Sequence, residues 1–309
     1  MSSGYKSFAN AHRPLTFREV VGQARVVKVL SRSIERSRVA PSYLIEGPFG
    51  TGKTTLARIF ARVLLCESPA GHDPCFQCGS CNSFDRGNNP NYREVDAATN
   101  SGIDSVRALQ DFAKMEAWGG SYKVIVVDEA HGLSRSAGEA LLKTLEEARA
   151  GLVFLFCTTA GEDVLATVRS RSVICALDPP SVDEVQARLA QVAQREGVAA
   201  DADALRLIVS MTGLHLRDAL KELEVCASLY DRVTRAAVLE YYGIQDVGQV
   251  VDFIRALPVD VLRAVDLAYC LATTRGVDHF LQVVQVVLAD VFRAKFRHVR
   301  DMRVLAPGR

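Results

Sequence analysis

The chain has 309 residues, and its 49% hydrophobic and 24% charged residues are typical of a globular protein with two or three domains. The formal net charge of +1 argues against a protein that coats nucleic acid with a broad basic surface, although it does not exclude a local basic face. The sequence has no apolar run of about 18 residues and no apolar stretch at its amino terminus. We therefore expect a cytoplasmic protein without a signal peptide or a membrane partner.

The first elements of the chain are a helix, a short buried strand and a second helix. Apolar residues recur at helical spacing from Val26 to Ile34 and predict a helix over Gln23–Arg38. Tyr43–Ile45 is a short apolar run that predicts a strand, and Thr55–Leu65 predicts an amphipathic helix.

The segment between this strand and helix, Gly47–Thr54, matches the P-loop pattern Gly-x-x-x-x-Gly-Lys-[Ser/Thr] in full. Its glycines let the backbone turn tightly and present successive N–H groups to the α- and β-phosphates of a nucleotide. Lys53 can reach the β- and γ-phosphates, and the Thr54 hydroxyl can bind Mg²⁺. The residues predicted to bind the nucleotide here are Gly47, Pro48, Phe49, Gly50, Thr51, Gly52, Lys53, Thr54 and Thr55. A glycine-rich turn without a ligand is the alternative, but the strand–loop–helix context favours binding of a nucleoside triphosphate.

Four cysteines cluster directly after the second helix, with the spacing Cys-x₈-Cys-x₂-Cys-x₂-Cys on a turn-rich segment. They are Cys66, Cys75, Cys78 and Cys81. Four thiolates this close suit tetrahedral Zn²⁺, so we predict a zinc module at 66–81. An iron–sulfur cluster is the rival, although the proline that follows the last cysteine in ferredoxins is missing, and unligated loop thiols are the remaining alternative. The other cysteines are isolated in apolar surroundings, which favours core packing. They are Cys157, Cys175, Cys226 and Cys270.

Strands and helices alternate after the cysteine cluster. Strands are predicted at Tyr92–Asp96 and Leu152–Phe156, and a helix is predicted at Ser105–Ala117 between them. This alternation continues to about residue 175 and predicts an α/β fold with a doubly wound parallel sheet. In such a sheet the ligand binds at the carboxyl ends of the strands.

A further strand is predicted over the β-branched run Lys123–Val127, which leads directly into Asp128-Glu129. Beside a P-loop, an aspartate at this place holds Mg²⁺ through water, and the following glutamate orients or activates the attacking water. A strand that simply runs into an acidic turn is the alternative.

From Pro179-Pro180 onward the chain is predicted to be helical. Ser181 and Glu184 form a capping box at the start of the first of these helices. Residues 244–309 are predicted to form about three more helices, with Pro258 at the start of one.

An apolar face near the carboxyl terminus exceeds what so small a unit can bury alone, so we expect it to meet a partner surface. Its residues are Phe280, Val283, Val284, Val287 and Val291. The basic residues between Arg293 and Arg309 are interpreted as a solvated helix face.

Together these motifs resemble the gamma/tau subunit family of bacterial DNA polymerase III, the AAA+ ATPases of sliding-clamp loaders. The resemblance runs from about Arg13 to Gly243, and its most specific part is the zinc module inserted directly after the P-loop helix. Further matching segments are Val20–Gln23, Asp128-Glu129, Leu141–Glu147 and Leu216–Leu220. The resemblance implies an AAA+ P-loop NTPase domain at 1–178, a helical lid at 179–243 and a short helical collar domain at 244–309.

The resemblance also implies roles for individual residues. The adenine pocket would be lined by Arg13, Pro14, Val20 and Val21. Thr158 would be a sensor beside the γ-phosphate, and Arg217 would be a second sensor on the lid. Arg171, between Ser170 and Ser172, would be an arginine finger that reaches a neighbouring subunit's site. The implied catalytic residues are therefore Lys53, Thr54, Asp128, Glu129, Thr158, Arg171 and Arg217.

The activity implied by the resemblance is hydrolysis of ATP, with Mg²⁺, to load a sliding clamp onto primer-template DNA. The chain would act in a hetero- or homo-oligomeric ring of clamp-loader subunits of the DNA-directed DNA polymerase, and its Zn²⁺ would be structural. Several features depart from the family, including Ala148-Arg149 in place of the usual proline pair and the absence of the long tau extension. Ser172 replaces a cysteine, Gly213–Arg217 is one residue longer than usual, and the collar is about half the usual length.

Other functions are also consistent with single motifs. Asp128–His131 spells the signature of DEAH-type helicases, but such helicases need two α/β motor domains and only one is predicted here. An AAA+ motor for branch migration or helicase loading does not account for the zinc module. A non-catalytic scaffold does not account for the intact P-loop.

Overall fold

The computed structural model describes residues 6–99, 103–120, 122–147, 150–243 and 247–277, together with residues 280, 281, 283, 284, 287 and 288. It divides into two compact units. The first comprises Met1–Arg188 with Leu214–Asp218, and the second comprises Leu189–Gly213 with Ala219–Arg309. This division into two units does not test the three-domain organisation that the resemblance implies, so that organisation stays a prediction.

In the described part of the first unit, five strands form one parallel sheet. They are β1 (Ser42–Glu46), β2 (Tyr92–Asp96), β3 (Lys123–Asp128), β4 (Leu152–Thr158) and β5 (Val173–Ala176). Their order across the sheet is β2-β3-β4-β1-β5, and each neighbouring pair is parallel. The predicted α/β class with a doubly wound parallel sheet is confirmed.

The helices of the described chain connect these strands and then continue alone. They are α1 (Phe8–Ala11), α2 (Ala24–Glu35), α3 (Lys53–Leu65), α4 (Gly79–Asp85), α5 (Ile103–Lys114), α6 (Arg135–Glu146), α7 (Ala166–Arg171), α8 (Val182–Arg195), α9 (Ala202–Met211), α10 (Leu216–Leu229), α11 (Arg235–Tyr241), α12 (Val247–Ala256) and α13 (Val261–Arg275). None of these helices is both long and apolar enough to cross a lipid bilayer.

Successive side chains of a strand point to opposite sides of the sheet, and the strands β1, β3 and β4 are buried on both sides. In β1, Tyr43 and Ile45 pack into the apolar layer that contains α2 and α3. Leu44, between them, packs into the layer that contains α5 and α6. Both layers consist of buried apolar side chains, which explains why the sequences of β1, β3 and β4 are largely apolar rather than alternating.

The strand register brings the functional motifs to one edge of the sheet. Glu46 at the end of β1 lies beside Thr158 at the end of β4. Asp96 at the end of β2 lies beside Asp128 at the end of β3. Since all these strands are parallel, their carboxyl ends form the edge at which the P-loop begins.

The capping box predicted at the start of α8 is present. The Ser181 backbone N–H donates to Glu184 Oε2 at 2.8 Å, and the Glu184 N–H donates to Ser181 Oγ at 3.3 Å. The two residues thus satisfy backbone donors that the first turn of a helix leaves free.

The second unit departs from the predicted all-helical reading in one place. Ala199–Ala200 (β6) and Arg232–Val233 (β7) form a small parallel pair. Arg232 also forms an ion pair with Asp201, with Nη2 2.6 Å from Oδ1. Strands of two residues leave no periodic pattern in the sequence, which is why they were not predicted.

Two predictions about single residues in this region were wrong. Cys157, Cys175 and Cys226 are buried as expected, but Cys270 on α13 is exposed. Pro258 lies in a turn before the helix rather than at its start, because Asp260 caps α13 by accepting a hydrogen bond from the Arg263 N–H at 3.1 Å.

The apolar face near the carboxyl terminus is also different from its prediction. Phe280, Val283 and Val287 are buried by the chain itself, so these side chains need no partner to leave water. Val277, Leu281 and Leu288 in the same segment are exposed, and further exposed apolar side chains lie on α13 and the turn before it. They are Val259, Val261, Leu262, Val265 and Tyr269. Val291 and the basic run from Arg293 to Arg309 lie outside the described residues.

Candidate nucleotide-binding site and cysteine cluster

The P-loop connects β1 to α3 through three glycines with positive φ. Gly47, Gly50 and Gly52 have φ angles of 156°, 79° and 94°, a region in which residues with a Cβ are strained. A Cβ on Gly47 would also lie 2.6 Å from the carbonyl oxygen of Leu177. Glycine is therefore required at Gly47 both by its conformation and by the space around it.

Lys53 begins α3, two residues earlier than the helix predicted from the sequence. Its Nζ donates hydrogen bonds to the carbonyl oxygens of Gly47 and Pro48, both at 3.0 Å. Burial lowers the pKa of Lys53, and the negative charge of nearby Glu129 opposes this shift. The free N–H groups of the first helical turn and this ammonium group converge on the loop, which is the arrangement of an anion site.

Thr54 and Asp128 meet at the carboxyl edge of the sheet. The Thr54 hydroxyl donates a hydrogen bond of 2.8 Å to Asp128 Oδ2. Burial raises the pKa of Asp128, while the bonds from Thr54 and from the Glu129 N–H oppose that shift. A hydroxyl and a carboxylate at this distance are oxygen ligands of the kind that Mg²⁺ prefers.

Glu129 follows β3 in a left-handed conformation, with φ of 47° and ψ of 48°. Its carboxylate accepts a hydrogen bond of 3.4 Å from Thr159 Oγ1 and lies 3.5 Å from His131 Nδ1. A strained backbone at a non-glycine residue is frequent at functional sites. Thr159 and His131 were not predicted as site residues. Thr159 directly follows the predicted Thr158, and His131 lies two residues after the predicted Glu129.

Thr158 is fully buried and is the last residue of β4, where the predicted strand ended two residues earlier. Its hydroxyl lies 3.0 Å from His131 Nδ1 and bonds to the backbone of Ala160. Its carbonyl oxygen accepts a hydrogen bond of 3.3 Å from the Gly47 N–H. Thr158 thus ties the start of the P-loop to the neighbouring strand, whereas Thr159 contacts the Glu129 carboxylate.

Arg13 lies against the first turn of α3. Its Nε donates a hydrogen bond of 3.1 Å to Thr55 Oγ1. The pKa of Arg13 is lowered, first by burial and then by the positive charges of Arg58 and Arg217. Arg217 is therefore close enough to act electrostatically on the residue that contacts the P-loop helix. The other predicted adenine-pocket residues, Pro14, Val20 and Val21, are half-buried.

A partly exposed ionic network that was not predicted supports α3 from β2. Arg58 donates to Glu94 through Nε at 2.7 Å and Nη2 at 2.5 Å, and the Tyr92 hydroxyl donates to the same carboxylate at 2.5 Å. Burial acts to raise the pKa of Glu94, but the bonds from Arg58 and Tyr92 outweigh it and the pKa is lowered. Glu94 therefore stays ionised and fixes Arg58 on the helix that follows the P-loop.

The two arginines at the end of α7 have different surroundings. Arg169 forms a two-pronged ion pair with Glu46, at 2.5 and 3.1 Å, and also donates to the Gly161 carbonyl. Arg171 lies 2.7 Å from Glu146, and both side chains of this pair are about half exposed. Exposed ion pairs contribute little stability, so Arg171 can leave Glu146 at low cost, whereas Arg169 is fixed to the end of β1.

The cysteine cluster has the geometry of a metal site. The sulfur atoms of Cys66, Cys75, Cys78 and Cys81 all lie within 4.8 Å of one another. Zn–S bonds of about 2.3 Å in a tetrahedron place sulfur atoms about 3.8 Å apart, so the four thiols fit this ion.

Backbone N–H groups point at these sulfur atoms. The Cys75 N–H donates to Cys66 Sγ, the N–H groups of Gln77 and Cys78 donate to Cys75 Sγ, and the Cys81 N–H donates to Cys78 Sγ, at 3.3 to 3.5 Å. These bonds lower the pKa of Cys75 to about 6, while burial raises the pKa of Cys81 to about 12. Donors of this kind stabilise thiolates, which are the form of cysteine that binds metal.

The cysteine segment is attached to α3 through Arg62. This arginine is buried, forms an ion pair with Asp85, and lies 4.5 Å from the ring centroid of Phe76 and 5.7 Å from that of Phe84. The cysteine segment and the P-loop therefore belong to opposite ends of the same helix.

The left-handed backbone at Glu129 generates a testable prediction. Glu129→Gly should be more stable than Glu129→Ala by about 1 kcal/mol, because only glycine adopts this φ without strain. Urea denaturation of both variants measures the difference. At the exposed helical position Glu139 the order should reverse, since glycine is about 1 kcal/mol worse than alanine inside a helix. An alanine variant as stable as the glycine variant at position 129 would contradict the proposed strain.

Comparisons with known proteins agree with this geometry. A family model described as DNA polymerase III, delta subunit, matches residues 22–181, just over half of the chain. The DNA polymerase III subunit gamma/tau of Mycobacterium tuberculosis is 38% identical over 264 residues, which cover 83% of this chain and 44% of that protein. The protein STICHEL of Arabidopsis thaliana is 38% identical over 241 residues, which cover 77% of this chain and 20% of that protein.

The fold has a counterpart among solved structures. The RuvB Holliday junction branch migration motor of Thermotoga maritima matches with a TM-score of 0.59 and 20% identity, over 89% of this chain and 90% of that one. At this identity the match shows a similar fold and nothing further. The chain spans less than half the length of the curated relatives named above. The family match over residues 22–181 nevertheless shows that the chain belongs to the DNA polymerase III subunit family described by that model, and its resemblance to the gamma/tau subunits is confirmed.

Proposed function

We propose that this chain is the ATPase subunit of a DNA polymerase III clamp loader, which uses ATP binding and hydrolysis to load a sliding clamp onto primed DNA. The observation that carries the proposal is the contact of 2.8 Å between the P-loop Thr54 and the strand-end Asp128. This contact joins the phosphate-binding and metal-binding parts of an ATPase site. Its location in a chain of the DNA polymerase III family favours clamp loading over other AAA+ activities.

Nucleotide binding is assigned to the P-loop and its flanking segments. Residues 47–55 would surround the phosphates with backbone N–H groups, and Lys53 would exchange its carbonyl partners for phosphate oxygens. Thr54 and Asp128 would hold Mg²⁺, which neutralises phosphate charge when bound. The adenine would lie against the half-buried residues Pro14, Val20 and Val21, next to Arg13.

Hydrolysis is assigned to Glu129, which would orient or activate the attacking water. Thr159 and His131 contact its carboxylate and would fix its direction. Thr158 keeps the sensor role that the resemblance implies, through its bond to His131. Arg217 would be the second sensor, which is supported by its electrostatic effect on Arg13.

Arg171 is assigned as an arginine finger that acts on a neighbouring subunit. Its exposed position at the end of α7 and its exposed partner Glu146 support this role. Arg169 is unsuited to it because Glu46 and Gly161 already occupy its guanidinium group.

The remaining parts of the proposal concern organisation and partners. The domains would be the AAA+ ATPase at 1–178, the lid at 179–243 and the collar at 244–309. The collar would join the chain to other clamp-loader subunits in a ring, and the ring would bind the sliding clamp and primer-template DNA. The cysteine cluster would hold a structural Zn²⁺, and replication would place the activity in the cytoplasm.

The steady-state ATPase rate tests the proposed function. It is measured for the chain assembled with its partner subunits, alone, with sliding clamp, with primed DNA, and with both. Strong stimulation only by clamp and primed DNA together supports clamp loading. Equal stimulation by any DNA without the clamp would indicate a different AAA+ motor.

Lys53 and Glu129 should fail in different ways. Lys53→Ala should weaken ATP binding about 10- to 100-fold, because it removes a charged phosphate contact. Glu129→Gln should bind ATP normally but hydrolyse it about 10²–10⁴-fold more slowly, because an amide does not accept the proton. Equilibrium binding of a fluorescent ATP analogue and single-turnover hydrolysis separate the two effects. Normal turnover by Glu129→Gln would show that its role is assigned wrongly.

Arg171→Ala should leave ATP binding by the isolated chain intact and lower hydrolysis in the assembled ring by about 10³–10⁵-fold. Mixing it with Lys53→Ala chains should restore part of the activity, because some interfaces then pair an intact P-loop with an intact Arg171. Arg135→Ala is the matched control, since Arg135 forms an exposed ion pair with Glu139 on α6. An unchanged rate in Arg171→Ala rings would exclude the finger.

Metal analysis of the purified chain should find about one zinc per chain, because four protein thiols complete a tetrahedral site. Cys78→Ser should reduce the zinc content, and Cys270→Ser, which alters an exposed thiol outside the cluster, should not. A chain without metal, or one that carries a coloured iron cluster, would contradict the assignment.

A further inference from the structure

A short segment before α10 approaches the P-loop in an uncommon backbone conformation. Gly213 and Leu214 have φ angles of 60° and 69°. The left-handed region is ordinary for glycine but costs energy for leucine. The two residues reverse the chain after α9, and they determine where His215 lies.

His215 packs directly on the phosphate-binding loop. A Cβ built on Gly50 would lie 3.4 Å from the Cβ and 3.5 Å from the Cα and Cγ of His215. The Phe49 and His215 rings meet edge to face, with centroids 5.9 Å apart and planes at 70°. The contact therefore involves two adjacent residues of the P-loop, Phe49 and Gly50, and both the backbone and the ring of His215.

The His215 ring is oriented by the helix that follows it, α10. His215 Nδ1 lies 3.5 Å from Asp218 Oδ2, and the Asp218 side chain stands in the first turn of α10. Arg217 lies between these two residues in the sequence, so the contacts that fix His215 also fix the backbone that carries Arg217. The residues from Leu214 to Asp218 belong to the same compact unit as the P-loop.

We propose that His215 is a positioning residue that couples the P-loop at Phe49 and Gly50 to the placement of Arg217. This inference rests on the proposed ATPase function and goes beyond it, because it assigns a role to His215, which none of the motifs singled out. Binding of phosphates requires the Gly50 backbone to take up one arrangement, and His215 transmits that arrangement to the start of α10. The electrostatic effect of Arg217 on Arg13 is consistent with a start of α10 near the site.

A double-mutant cycle on the full chain tests the coupling. The dissociation constants of ADP and of a non-hydrolysable ATP analogue are measured for the unmodified chain, His215→Ala, Arg217→Ala and the double variant. His215→Ala should weaken the ATP analogue by roughly 3- to 30-fold, the range of couplings between residues in contact, and ADP by less. In the Arg217→Ala background the same change should have no further effect.

His215→Phe is the conservative variant, because it keeps a ring against Gly50 and Phe49. It should restore the preference for the ATP analogue that His215→Ala loses. Circular dichroism checks that each variant is folded, and His215→Gln replaces His215→Ala in the cycle if the alanine variant is not.

The outcomes separate the two proposals. If the unmodified chain binds neither nucleotide, both the proposed function and the coupling are overturned. If the unmodified chain binds both, but His215→Ala weakens them equally or acts as strongly without Arg217, the coupling alone is overturned. Failure of His215→Phe to restore the preference would likewise overturn it, since the ring contact would then not be the cause.

Discussion

Thr54 and Asp128 are 74 residues apart in the sequence, and their hydrogen bond of 2.8 Å depends on most of the first unit. The bond requires α3 to start at the P-loop and β3 to end beside it. Both conditions follow from the order β2-β3-β4-β1-β5, which places β4 between β1 and β3 and aligns their carboxyl ends. The apolar layers on the two faces hold this order because β1, β3 and β4 contribute side chains to both.

The helix α3 is the second organising element, because it connects the P-loop, the strand β2 and the cysteine segment. Its amino terminus carries Lys53 and Thr54. Its middle is tied to β2 by the Arg58–Glu94 pair, and its far end holds the cysteine segment through Arg62. A metal bound by the four thiols would therefore stabilise the end of the helix opposite the phosphates, without taking part in the chemistry.

Charge at the site is arranged so that opposite signs meet in partly buried surroundings. Lys53 feels Glu129 and Asp128, and Arg13 feels Glu94 as well as two other arginines. Since burial penalises an unpaired charge, Glu129 and Asp128 stabilise the charged form of Lys53, whereas the positive charges of Arg58 and Arg217 oppose the effect of Glu94 on Arg13. An anionic ligand would add negative charge near Lys53 and Arg13, which is where burial has lowered the pKa of both cations.

The sequence by itself determined the parts of the protein that depend on neighbours in the chain. The P-loop, the cysteine spacing, the capping box of α8 and the strands at Tyr43 and Tyr92 all arise from local turns, thiol spacing and runs of apolar residues. Such patterns specify the backbone conformation of a few residues from their sequence neighbours, without reference to tertiary contacts. For the same reason they did not predict the paired dipeptide strands β6 and β7, which have no period to detect.

Only the tertiary structure decided which side chains meet across the sheet. It assigned Arg169 to Glu46 and left Arg171 on an exposed pair with Glu146. It also placed Thr159, rather than Thr158, on the Glu129 carboxylate, and His215 on Gly50. These contacts join residues that are distant in the sequence, so they depend on strand order, register and single backbone angles. A local pattern contains none of these quantities, because each is set by the packing of the whole unit.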